Sequence, residues 1–115
     1  MPKRRGERSL ATAAVLFAAL GDETRLALVN RLSTGGSGSI SALSESCGDI
    51  SRQAVTKHLQ VLASAGLVDS RREGREHLWA LNPNKLEEAR RALSVIGRQW
   101  DDAFARLKAH VERDR

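Results

Sequence analysis

Apolar residues recur at helical spacing over most of this chain, and at alternate positions in one short segment. Leu10 to Leu20 carries Leu10, Ala14, Phe17 and Ala18 on a helical pattern, with Ser9 placed to cap it and Gly21 to break it. Asp22 caps a second helix whose first turn holds Glu23, against the positive end of the dipole. Leu26, Val29 and Leu32 form its expected inward face. Thr34 to Ser39, with its glycines and serines, reads as a loop. A short third helix follows with Ile40, Leu43 and Cys47 on its apolar side, and Gly48 supplies a left-handed stop. Ser51 caps a fourth helix, in which Val55, Leu59 and Leu62 recur at i, i+4 and i+7, and Gly66 ends it.

The period then changes. Leu67 to Arg72 and Glu76 to Leu81 read as two strands, joined by Glu73-Gly74-Arg75, where glycine can supply positive φ. His77, Trp79 and Leu81 alternate to one face, which puts His77 among buried structural residues. Asn82-Pro83-Asn84 opens a long helix in which Leu86, Leu93, Ile96, Trp100, Phe104, Leu107 and Val111 lie mostly three or four apart. From Leu86 to Val111 this stripe runs about 39 Å at the helical rise. So long a stripe needs more cover than a small domain offers, and the same helix of a second copy is the simplest cover. The expected fold class is mainly α: a winged helix-turn-helix of order α-α-α-α-β-β-α with a long C-terminal dimerisation helix. Residues 1–8 are expected to be a basic flexible tail, and residues 9–115 one DNA-binding and dimerisation domain.

A short helix, a tight turn and a second helix from Ser51, followed by a basic hairpin, form a DNA-reading layout. With Val55, Leu59 and Leu62 inward, Arg52, Gln53, Thr56, Lys57 and Gln60 face out. Arginine can clasp guanine O6 and N7, glutamine can pair with adenine, and threonine offers a hydroxyl and a methyl. Lys57 and Gln60 lie further round, toward phosphate, and Ser51 brings a helix N-terminus to a phosphate. The hairpin adds Arg71, Arg72 and Arg75, suited to the flanking minor groove or backbone, although Glu73 and Glu76 interleave with them.

Composition narrows the alternatives. The chain has 115 residues, a net charge of +5, and only 3% aromatic residues. The basic balance suits double-stranded DNA as a partner, whereas so few rings leave little for stacking unpaired bases. Cys47 is the sole cysteine, which excludes an intrachain disulfide and a CxxC metal knuckle and fits a reducing cytosol. Neither a signal peptide nor a transmembrane run is expected, so no membrane partner. No nucleophile-base set, phosphate-cradling loop or carboxylate pair stands out, so an enzyme is not expected. Cys47 shares its helix face with apolar residues and is expected to behave as a small hydrophobe. His58, between the two faces of the fourth helix, is expected to be a hydrogen-bonded packing residue.

ALGDETRLALVNRL (19–32), ISRQAVTKHLQVLASAGLV (50–68) and REGREHLWAL (72–81) resemble, in that order, the ArsR/SmtB family of bacterial winged-helix repressors. The resemblance spans about residues 12–112. The ending RQWDDAFARLKAHVE (98–112) is similar to a branch often encoded beside START-like ligand-binding or chaperone-activator-like proteins. The resemblance implies a cytoplasmic homodimer, nucleoid-associated when bound, that represses its own operon from an imperfect palindrome. It also implies a dimer surface built from the first and last helices: Leu10 and Phe17 with Leu93, Ile96, Trp100, Phe104, Leu107 and Val111.

The chain departs from the family's metal sensors. Ser37 to Glu45 holds no Cys or His, and the last helix has one His, His110. Zinc sites need three or four convergent ligands, and Asp101, Asp102, His110 and Glu112 do not share a helical face. The expectation is a repressor with no metal and no cofactor, with the small-molecule effector undefined. The alternatives are a metal- or redox-responsive repressor of the same fold and a winged-helix protein-interaction module.

Overall fold

The computed structural model describes residues 5–48 and 50–114. Five helices and one hairpin follow in order: α1 (Arg5–Leu20), α2 (Glu23–Gly35), α3 (Ile40–Ser46), α4 (Arg52–Ser64), β1 (Val68–Glu73), β2 (Glu76–Leu81) and α5 (Pro83–Arg113). The mainly α winged helix-turn-helix with a long last helix is the observed architecture. Helix α1 starts at Arg5, so Ser9 lies inside it and does not cap it. Of the tail expected over residues 1–8, residues 1–4 lie outside the described residues and residues 5–8 are helical.

The caps form where short polar side chains precede the helices. Asp22 accepts from Arg25 N at 3.0 Å and Ser39 from Ala42 N at 3.2 Å. Ser51 accepts from Ala54 N at 3.1 Å, and Asn82 from Asn84 N and Lys85 N. Each satisfies an amide that the helix cannot pair internally. The Arg25 amide and side chain, with His58 nearby, hold the Asp22 carboxyl below its ordinary range against partial desolvation.

Leu16, Leu28, Leu43, Val55, Leu59, Leu62, Leu67 and Val68 are sealed at the centre, with Leu32 and Ala89 at its edges. Helix α2 is turned differently from the sequence reading: Leu28 and Leu32 point inward, while Leu26 is 52% exposed and Val29 only borders the core. The segment LALV is apolar on several sides, so the pattern permits two phases. The i, i+4 pair Leu28–Leu32 takes the buried one.

Gly66 closes α4 with φ +83°, where a Cβ would also press on the Lys85 side chain at 3.2 Å. Gly66→Ala is therefore expected to cost about 1–2 kcal/mol, most of it left-handed strain. A urea midpoint unchanged by this substitution would contradict the placement.

The hairpin is fastened to the body. Gly38 N donates to Trp79 O at 3.0 Å and Trp79 N to Gly38 O at 2.8 Å, tying the loop before α3 to β2. Asn82 N donates to Leu67 O at 2.8 Å and Asn82 Nδ2 to Asp69 Oδ2 at 3.2 Å, so the start of α5 is tied to β1. Helix α5 then runs on past the body. Beyond Ile96, every described residue through Asp114 is exposed.

Candidate nucleic-acid interface

Helix α4 sorts its side chains by phase. Val55, Leu59 and Leu62 are wholly buried, and Arg52, Gln53, Lys57 and Gln60 are exposed on the opposite side. Thr56 is half-buried, and its hydroxyl donates to Arg52 O at 2.8 Å. That back-bond occupies the hydroxyl proton, leaving the methyl and the oxygen lone pairs to face a base. Ser51 is exposed and engaged in its cap.

His58 stands between the two faces, as expected, and braces the helix. Its Nδ1 lies 3.4 Å from Arg25 Nη1 and 3.8 Å from Asp22 Oδ2, while Arg25 Nε donates to Ala19 O. Helix α4 is thus fixed to the corner between α1 and α2. Without such support its exposed tips would have no defined pose.

Arg52, Gln53, Thr56, Lys57 and Gln60 line one side of an open hollow, with Ile40 and Ser41 from the first turn of α3 on the other. Ile40 and Ser41 were not among the sequence candidates. The sequence pattern puts Ile40 on the core side of α3. It does border the core, but its position at the first residue of the helix also leaves part of it facing out.

The hairpin pairs Val68 with Leu81, Ser70 with Trp79, Arg71 with Leu78, Arg72 with His77, and Glu73 with Glu76. Gly74, with φ +63°, comes first in the two-residue turn and Arg75 second, the glycine-first pattern of a type II′ turn. Directly opposed residues share a face of the sheet. Arg72 therefore lies on the face of Val68, Leu81 and Trp79, which packs on the body, and Arg71 lies on the other face. Arg71 Nη2 sits 3.7 Å from Glu73 Oε2, an exposed pairing of little energetic consequence. Arg72 and Arg75 are exposed.

His77 is also exposed, contrary to the buried role its alternation suggested. The alternation itself holds, since Trp79 and Leu81 pack against the core. However, the body ends beneath Trp79, and His77 overhangs it one step nearer the turn. Period-two patterning identifies a face but not how far along the strand that face is covered.

Cys47 borders the core, and burial pushes its thiol up despite the nearby Arg31 guanidinium, which suits a packing residue. On α5, Arg90 grips Glu87 through Nε at 2.9 Å and Nη2 at 2.6 Å, and Arg91 adds a third contact at 3.3 Å. Together they pull the Glu87 carboxyl down to about 2. Among the described residues no three His, Cys, Asp or Glu side chains converge as a metal would require. Nor is any helix among them long and apolar enough to cross a membrane.

A family model described as a helix-turn-helix domain matches residues 20–71, from the end of α1 into β1. The uncharacterized HTH-type transcriptional regulator YuzN of Bacillus subtilis (strain 168) is 38% identical over 77 residues, covering 63% of this chain and 84% of that protein. An ArsR-like transcriptional regulator from Rhodococcus sp. RHA1 has the same fold with a TM-score of 0.69 at 38% identity, covering 86% of this chain and 92% of that one. The transcriptional repressor BigR from Xylella fastidiosa gives a TM-score of 0.64 at 28% identity, covering 84% and 96%. Fold, the exposed polar face of α4 and relatives agree: the chain belongs to the ArsR family of winged helix-turn-helix DNA-binding transcriptional regulators, and it is not an enzyme.

Proposed function

We propose that this regulator is a repressor that binds a palindromic operator in its own promoter as a homodimer, with no metal effector. One observation supports this reading above the others: α5 carries an apolar row that its own domain leaves uncovered. Leu93, Trp100, Phe104, Leu107 and Val111 are all exposed, with Trp100 at 63% and Phe104 at 60%. Monomeric proteins rarely leave such a contiguous row in water. Leu10 and Val15 on α1 add exposed apolar surface. Phe17, expected at the same surface, is half-buried against the protomer's own core.

A two-fold axis along this seam would repeat α4 and suit a DNA site with two-fold symmetry. Arg52, Gln53, Thr56, Lys57 and Gln60 would read the major groove, with Ser51 capping the helix at a phosphate. Arg71, Arg72 and Arg75 would neutralise the flanking backbone. The repressor sense is drawn from the likeness to BigR. As for an effector, His110 Nε2 lies 3.3 Å from Asp114 Oδ2 at the far end of α5, with no third ligand gathered to the pair among the described residues.

The test is titration of the purified protein on its own upstream fragment, with and without added zinc. Binding should be tighter than to mixed-sequence DNA, insensitive to zinc, and steeply dependent on salt. A log–log slope of about −5 to −9 corresponds to roughly 6–10 neutralised phosphates. Equal affinity for both duplexes at physiological salt would refute the operator reading, and release of the fragment by zinc would refute the metal-free one.

A further inference from the structure

Next to the reader helix's hollow lies a second one, lined by Ser39, Ile40, Ser41, Glu76, His77 and Trp79. Ile40 and Ser41 line both, so the first turn of α3 is the ridge between them. On one side of this ridge stand Arg52 and Lys57, and on the other the overhanging end of the wing. A duplex that meets α4 in one groove and the wing in the next must lay the intervening sugar–phosphate strand across the ridge, because adjacent grooves are separated by that strand alone. His77 lines this notch, and its cross-strand partner Arg72 stands beside it on the same face of the wing. Both are exposed, and Arg72 has no acid within salt-bridge distance among the described residues.

We propose that this notch is a backbone clamp: His77 and Arg72 hold phosphates of the DNA strand that crosses the first turn of α3, and protonation of His77 tightens the grip. The inference rests on the reading that α4 and the wing engage one duplex. Histidine is the side chain that ordinarily changes charge between about pH 5 and 8. The charged groups facing His77 are Arg72 across the strand pair and Glu76 at the rim of the notch. The first turn of α3 contributes only Ser39, Ile40 and Ser41, none of which titrates, and Arg52 and Lys57 lie over the ridge. A phosphate in the notch favours the imidazolium, so by linkage acidification must strengthen DNA binding. Arg71 faces away from the notch and takes no part in it.

Phosphate contacts do not depend on sequence, so a mixed-sequence duplex at about 50 mM salt is a sufficient probe. Wild type, His77→Gln and His77→Lys are titrated by fluorescence anisotropy at pH 8 and pH 6. From pH 8 to pH 6 the wild type should gain about five- to tenfold more affinity than His77→Gln. At pH 6 its log–log salt slope should be steeper by about 0.9 for each imidazolium contact. His77→Lys should bind more tightly than the wild type at pH 8 and gain no more on acidification than His77→Gln. His58 and His110 are present in all three proteins, so the differences between them isolate His77. Wild-type binding accompanied by the same gain in His77→Gln would overturn the clamp and leave the DNA reading intact. Failure of the wild type to bind any duplex at either pH would overturn both.

Discussion

Replacing Arg52 and Gln53 together with alanine is expected to abolish discrimination between operator and mixed-sequence DNA while leaving the fold unchanged. Both side chains are exposed at the start of α4, and neither hydrogen-bonds through its side-chain tip to another described residue. Their loss therefore removes no core packing, and the Ser51 cap with its bond to Ala54 N stays in place. Each good bidentate contact to a base edge supplies about 1–3 kcal/mol of discrimination. Two such contacts supply about 2–6 kcal/mol, a weakening of the operator complex from about thirtyfold to more than about ten-thousandfold. Binding to mixed-sequence DNA should fall far less, because Lys57, Arg72 and Arg75 still neutralise phosphates. Mobility shifts on the two duplexes, with circular dichroism as a check on folding, measure both quantities. If the double variant still prefers its operator by the wild-type margin, base reading lies elsewhere on the surface.

Helix α4 was legible in the sequence because its signals agree. A serine cap, three apolar residues in one phase and a glycine stop leave a single way to turn α4, so the outward set follows from the inward one. Helix α2 lacked that agreement. Leu26, Leu28, Val29 and Leu32 span more than one face, and only packing against α1, α3 and α4 decides that Leu28 goes in and Leu26 stays out. His77 was misplaced for a different reason. Whether an inward-facing position is covered depends on where the body stops, and chain-distant residues set that limit: Gly38 bonded to Trp79, and α3 packed beside it. Ile40 and Ser41 escaped notice because the ridge between the two hollows exists only once the wing has folded against α3. The start of α1 was misjudged because Ser9 has the chemistry of a cap, while Arg5 to Arg8 carry no apolar periodicity that would announce a helix. Composition resembling a solvated tail does not prevent a helix from extending through it. Local chemistry thus fixed the elements, and tertiary cover decided which of their faces meet water.

The C-terminal half of α5 gives the second large effect. Trp100 and Phe104 meet edge to face with ring centroids 6.2 Å apart, and Leu107 and Val111 continue the row at the next helical steps. In the single protomer these rings touch nothing of the core, so Trp100→Ala should leave its fold and circular dichroism intact. In a two-fold pair the same rings would be buried, and truncating a buried tryptophan costs about 3 kcal/mol or more. Each copy supplies one such ring, so the dimer dissociation constant should rise by at least about a hundredfold. Light scattering or sedimentation at submicromolar concentration should then show a monomer where the wild type is expected as a dimer. Operator binding should weaken in parallel, because a lone protomer can hold only one half-site. Phe104→Ala should act in the same direction, and the double variant should lose less than the sum of the two single losses, since each ring packs on the other. If Trp100→Ala keeps the wild-type mass across the dilution series, the two copies do not meet along this row, and the palindromic operator inferred from that symmetry loses its structural basis.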